Sequence, residues 1–139
     1  MRKKLFLLVA MVILVLSAGS SLACSDCAPT EESLEREAIT EALRKDLKDN
    51  LGIDAVFVFN WFRVKDGWAW VETDPQSPDG QNRYEPFLAL LEKREEIWAI
   101  AEIPSLEEDS PLVDDAYFEG LIERFPGLPR EVFPWEKKK

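Results

Sequence analysis

Val56-Phe57-Val58-Phe59-Asn60-Trp61-Phe62-Arg63-Val64, then Lys65-Asp66-Gly67, then Trp68-Ala69-Trp70-Val71-Glu72-Thr73, sets the class of this 139-residue chain. Both flanks are dense in β-branched and aromatic residues, the types that pack on a pleated surface. An Asp-Gly pair between two such runs supplies the positive φ angles of a tight two-residue turn, so the stretch reads as a β-hairpin. Both faces of the 56–64 run carry apolar residues, so a single covering layer would leave one face bare.

Reading onward, 74–82 holds Pro75, Pro78 and Asp79-Gly80 and is expected to be a long connection. A third strand is expected over 84–93, with Pro86 marking an edge or a bulge, although Phe87, Leu88, Leu90 and Leu91 also fit a helical period. Arg94-Glu95-Glu96 turns the chain into a fourth strand, 97–103. Reading backward, Leu34, Ala38, Ile39, Ala42, Leu43 and Leu47 recur at helical spacing among charged residues. Thr30 is placed to cap that helix, Glu31 and Glu32 suit its first turn, and Asn50-Leu51-Gly52 stops it, which predicts a helix over about 31–50. After an acidic loop, 104–111, a short helix is expected over 114–124. A proline-punctuated tail, 128–135, follows, with Phe133 and Trp135 packing back on the sheet. The order is that of an α+β domain: an amphipathic helix on a four-stranded antiparallel meander, then a short helix and a Pro-rich tail.

The start of the chain has another character. Arg2, Lys3 and Lys4 precede an uncharged apolar run from Leu5 to Leu16, and 17–23 is small and weakly polar. Charged, apolar and small segments in that order are the signature of a secretory signal peptide over 1–23. The run is too short for the roughly 20 residues a membrane-spanning helix needs. Ser21-Leu22-Ala23 suits ordinary signal peptidase. The same stretch with Cys24 resembles a bacterial lipobox, displaced in that Leu22 lies two residues before the cysteine. The expected organisation is a signal peptide over 1–23, a polar tether over 24–30, one domain over 31–135 and a basic tail over 136–139. Export would place the domain in the periplasm or outside the cell, and a lipid on Cys24 would tether it to the membrane.

Cys24 and Cys27 are the only cysteines, and the chain has no histidine. A zinc site lacks its remaining ligands, and a redox Cys-x-x-Cys would need a helix N-terminus beside a β-α-β core. Two fates stay open: a lipidated Cys24, or a Cys24–Cys27 disulfide in an oxidising compartment. Without histidine, Ser-His-Asp and Cys-His activation and imidazole bases are excluded. No phosphate-cradling or dinucleotide motif is present among six glycines. No cofactor and no metal are expected.

The net charge is −10. Removal of Arg2, Lys3 and Lys4 with the signal segment takes it to −13, over 116 remaining residues. So acidic a chain is not built to meet a phosphate backbone, which excludes nucleic acid, nor to bind an anionic membrane through charge. It suits solubility, or a cationic partner. Carboxylate chemistry survives: Glu72, Glu85 and Glu102 fall in expected strands, where two buried acids would allow glycoside hydrolysis. Calcium ligation at Glu107-Glu108-Asp109 and Asp114-Asp115 matches no EF-hand spacing. Trp68 and Trp70, two apart, share a face. They are either core or an exposed aromatic strip that binds a sugar, a peptide or a partner.

A resemblance adds to this. Phe62-Arg63-Val64 with Gly67-Trp68-Ala69-Trp70-Val71, Pro75 to Gly80, Leu90-Leu91 before Trp98, and Arg124-Phe125-Pro126-Gly127-Leu128-Pro129 with Phe133-Pro134 resemble an uncharacterised group of exported bacterial domains. Their plan is cystatin-like or nuclear-transport-factor-like. The group implies a helix on a curled antiparallel sheet and carries no activity to transfer. Cystatin inhibitors bear Gln-x-Val-x-Gly in a hairpin loop, and the turn here is Val64-Lys65-Asp66-Gly67. Two functions remain: a non-catalytic cell-envelope module binding a protein or small ligand, and a small carboxylate hydrolase.

Overall fold

The computed structural model describes residues 29–135. The signal segment, Cys24, Cys27 and the 136–139 tail lie outside the described residues. Two helices and a four-stranded antiparallel sheet make the α+β class.

Helix α1 spans Glu31–Leu51. The Thr30 hydroxyl accepts from the Ser33 N–H at 3.1 Å, satisfying one of the orphan donors of the first turn. Gly52, at φ 67°, supplies the left-handed residue that ends the helix, and its N–H donates to Lys48 O at 3.0 Å. The buried row is Ile39, Leu43 and Leu47, every fourth residue, with Ala42 half-buried. Leu34 and Ala38 stay exposed. The stripe facing the sheet is therefore narrower than the apolar residues of the helix suggest.

Strands β1 (Val56–Lys65), β2 (Trp68–Gln76), β3 (Phe87–Arg94) and β4 (Ile97–Glu102) pair in sequence order. Lys65 pairs with Trp68, and Asp66 and Gly67 between them hold φ 50° and 76°, the left-handed turn that Asp-Gly favours. β2 continues past Thr73 through Pro75, which pairs with Phe57. Pro75 O accepts from Tyr84 N–H at 2.9 Å, so the backbone edge of Pro75 points away from β1. Its missing N–H costs the β1–β2 ladder nothing. Tyr84, Glu85 and Pro86 are not in a strand, and β3 starts only at Phe87.

The β3–β4 turn has the same geometry with the wrong residues. Glu95 and Glu96 hold φ 48° and 65°, and neither is a glycine or an asparagine. A left-handed conformation costs an ordinary residue about 1 kcal/mol or more. The variant E95N/E96G is expected to raise stability by about 1–2 kcal/mol, read as a higher urea midpoint at unchanged m-value. It forfeits only the contact of Lys93 with the exposed Glu96 at 3.4 Å.

Two irregularities decide which side chain faces where. Phe59 pairs with Thr73 but Trp61 pairs with Glu72, so Asn60 is an extra residue in β1. Leu90 pairs with Glu102 and Leu91 with Ile100, so Ala101 is extra in β4. The first bulge puts Phe57 and Phe59 before it, and Phe62 and Val64 after it, on the α1 face. Trp61 is turned to the opposite face. Thr73, itself buried, donates its hydroxyl to Val58 O at 3.0 Å beside the bulge.

The sheet is covered on both sides. Ile39 and Leu43 of α1 pack on Ala69, Val71, Ala89, Leu91 and Trp98. Helix α2 (Asp115–Arg124), capped by Asp114 accepting from Tyr117 N–H at 3.0 Å, packs on the other face. A 3-10 turn (Arg130–Val132) and the tail join it there.

Candidate functional site

Trp68 and Trp70 lie side by side on the α2 face and are 7% and 0% exposed. Trp70 sits edge-on to Phe118 at 5.4 Å and to Phe133 at 5.3 Å, and Trp68 meets Phe125 at 5.7 Å. The pair belongs to the core, beneath α2 and the tail, and presents no aromatic strip to solvent. Cys24 and Cys27 lie outside the described residues.

The three carboxylates weighed for hydrolysis have separate surroundings. Glu72 accepts the Trp70 indole N–H at 2.9 Å. Glu102 accepts from the Arg124 guanidinium at 2.9 Å and from the Tyr117 hydroxyl at 3.4 Å. Burial, and secondarily the Glu102 charge, push the Tyr117 hydroxyl above its ordinary pKa. These contacts tie α2 to the end of β4. Glu85 is exposed in the connection before β3 rather than in a strand. No group of three or more acidic side chains among the described residues can hold a metal ion, and the 107–109 and 114–115 acids form no such cluster.

Open concave surface lies at the end of the sheet far from the Asp66-Gly67 turn. A groove of about 700 Å³ runs between 85–88 on one side and 103–108 on the other. Phe87, Leu88, Ile103 and Leu106 supply its apolar lining, and Glu85, Glu107 and Glu108 supply its charge. An adjoining pocket of about 330 Å³ shares Glu85, Pro86 and Phe87 with the groove and is completed by Leu47, Leu51, Ile53, Pro75 and Tyr84. Leu51, in the pocket, is 64% exposed, and Ile103 and Leu106, in the groove, are 43% and 50% exposed. Neither cleft is lined by a lysine or an arginine. Among the described residues, no salt bridge reaches Glu85, Glu107 or Glu108.

A second groove, between the start of α1 and the 3-10 turn, differs in charge. There Lys65 pairs with Glu131 at 2.9 Å and Glu35 pairs with Lys93 at 3.2 Å, so its charges are largely matched internally. The Glu131 carboxyl is held below its ordinary pKa, chiefly by the hydrogen bond from Lys65.

The sequence marks 104–111 as an acidic loop but not as the wall of a groove. The signal was the interleaving of Ile103 and Leu106 with Glu107 and Glu108, which puts apolar and acidic side chains on one short segment. No helix among the described residues is long and apolar enough to cross a membrane. Neither family models, nor curated proteins, nor solved structures give a match to this chain.

Proposed function

We propose that this chain is an exported, non-catalytic binding module of the cell envelope. The observation that carries the proposal is the groove at the open end of the sheet, apolar along its walls, with three carboxylates that meet no basic side chain of the described residues. Solvated, unpaired charge beside exposed apolar side chains is the composition of a recognition surface. A carboxylate hydrolase needs instead two acids facing one reacting bond, one of them with its pKa raised by burial. Export rests on the 1–23 segment. Cys24 then either carries a lipid that holds the module at the membrane or pairs with Cys27.

Two measurements test this. Intact mass of the mature protein from its native host is expected to begin at Cys24, either with a diacylglycerol or two hydrogens light. A chain still carrying 1–23 would overturn export. Glycoside and peptide substrates are expected to remain intact with wild type. Turnover that disappears in E72Q, E85Q or E102Q would overturn the non-catalytic role.

A further inference from the structure

β3 leaves part of its edge open inside the groove. Lys93 N–H donates to Gly67 O at 2.8 Å, so the odd residues of β3 bond to β2 and the even ones point toward β4. The last β3–β4 pair is Leu90 with Glu102. Leu88 is the next even residue, and the place opposite it falls to Pro104, which has no N–H to give. Among the described residues, no backbone group pairs with the N–H and C=O of Leu88 on that side. The groove therefore holds an unpaired strand edge, apolar walls and three uncompensated carboxylates together.

We infer that the groove takes an extended, lysine- or arginine-bearing segment of a partner protein. Its backbone pairs with Leu88, its cationic side chains meet Glu85, Glu107 and Glu108, and an apolar side chain enters the pocket behind Phe87. Strand addition supplies the backbone bonds, and alternation along the added strand sends successive side chains to opposite sides, as this mixed lining requires. Charge selects the sign of the partner: a segment rich in Asp or Glu would face repulsion from every ionised group lining the groove. This inference rests on the binding role proposed above.

The test uses the exported protein, 15N-labelled, and two synthetic peptides, acetyl-Lys-Leu-Lys-Val-Lys-amide and its counterpart with Glu in place of each Lys. The lysine peptide is expected to shift the amide resonances of the non-proline residues of 84–88 and 103–108, with Leu88 among the largest. The glutamate peptide is expected to shift none of them. The triple variant E85Q/E107Q/E108Q, which changes only exposed side chains, is expected to weaken the lysine peptide about tenfold. Added salt at 0.5 M is expected to weaken it comparably. Shifts confined to the free edge of β1, equal response to both peptides, or an unchanged affinity in the triple variant would overturn the inference while leaving a binding role standing. Cleavage of either peptide, read by mass spectrometry after the titration, would overturn the binding role itself.

Discussion

Deleting Asn60 is expected to cost about 4–6 kcal/mol, most of the stability of a domain in the usual 5–15 kcal/mol range. Side chains alternate along a strand, so removing one residue inverts every position on one side of the deletion. With Asn60 present, Phe57, Phe59, Phe62 and Val64 all pack on the α1 side. Without it, either the first pair or the second must turn away. If the second pair turns, Trp61 also leaves the α2 face, where its indole N–H donates to Val132 O at 2.8 Å. Three large apolar side chains then lose their packing at about 1.5–3 kcal/mol each, discounted because all are only half-buried. The control is N60A. It keeps the residue count and loses only the exposed bond from Asn60 Nδ2 to Asp74 at 2.8 Å, worth less than about 1 kcal/mol. Urea denaturation of the two variants separates length from chemistry. A deletion variant within about 1 kcal/mol of wild type would mean that β1 re-registers freely and that the bulge specifies nothing.

That bulge also marks the limit of what the residues disclose in advance. The Asp66-Gly67 turn, the Thr30 cap and the Gly52 stop follow from local chemistry, because each needs a particular residue type at one position. A bulge needs none. Val56 to Phe62 is apolar or aromatic at almost every position, so no alternation exists in which a skipped step could be noticed. The extension of β2 through Pro75 was hidden for a different reason. Proline forbids one donor, and whether that donor was needed depends on which edge of β2 it faced. The same non-local condition hid the groove, since among the described residues the edge of Leu88 that faces away from β2 meets no strand partner, the place opposite it falling to Pro104. The sequence likewise left open whether Trp68 and Trp70 were core or surface. The answer lay with the residues 118–133, far along the chain, that close over them.

The closure of that face gives the second large effect. F133A is expected to destabilise the domain by about 3–5 kcal/mol, the range for removing a buried aromatic side chain. Phe133 is 2% exposed and stacks on Phe118 at 4.6 Å, with Trp70 edge-on at 5.3 Å and Trp135 at 5.9 Å. It is the point where the tail holds both α2 and the sheet. Leu128 and Val132 are buried beside it in the same cluster, and the tail's polar ties to the rest of the domain are few: Trp61 to Val132 O, Lys65 to Glu131, and Arg130 to Glu119 at 2.7 Å. The latter two are exposed ion pairs and contribute little. The apolar anchor therefore carries the attachment, and its loss should be felt first by the tail and then by Trp70 beneath it. Two readouts distinguish local from global failure. Thermal unfolding reports the total loss. Tryptophan fluorescence at 25 °C, well below the transition, reports whether Trp68 and Trp70 have become wet. A red-shifted emission with the fold still intact is the expected result, because α1 and its own side of the sheet share no buried residue with the Phe133 cluster. An unshifted emission and a loss below about 1 kcal/mol would mean that α2 alone seals the face.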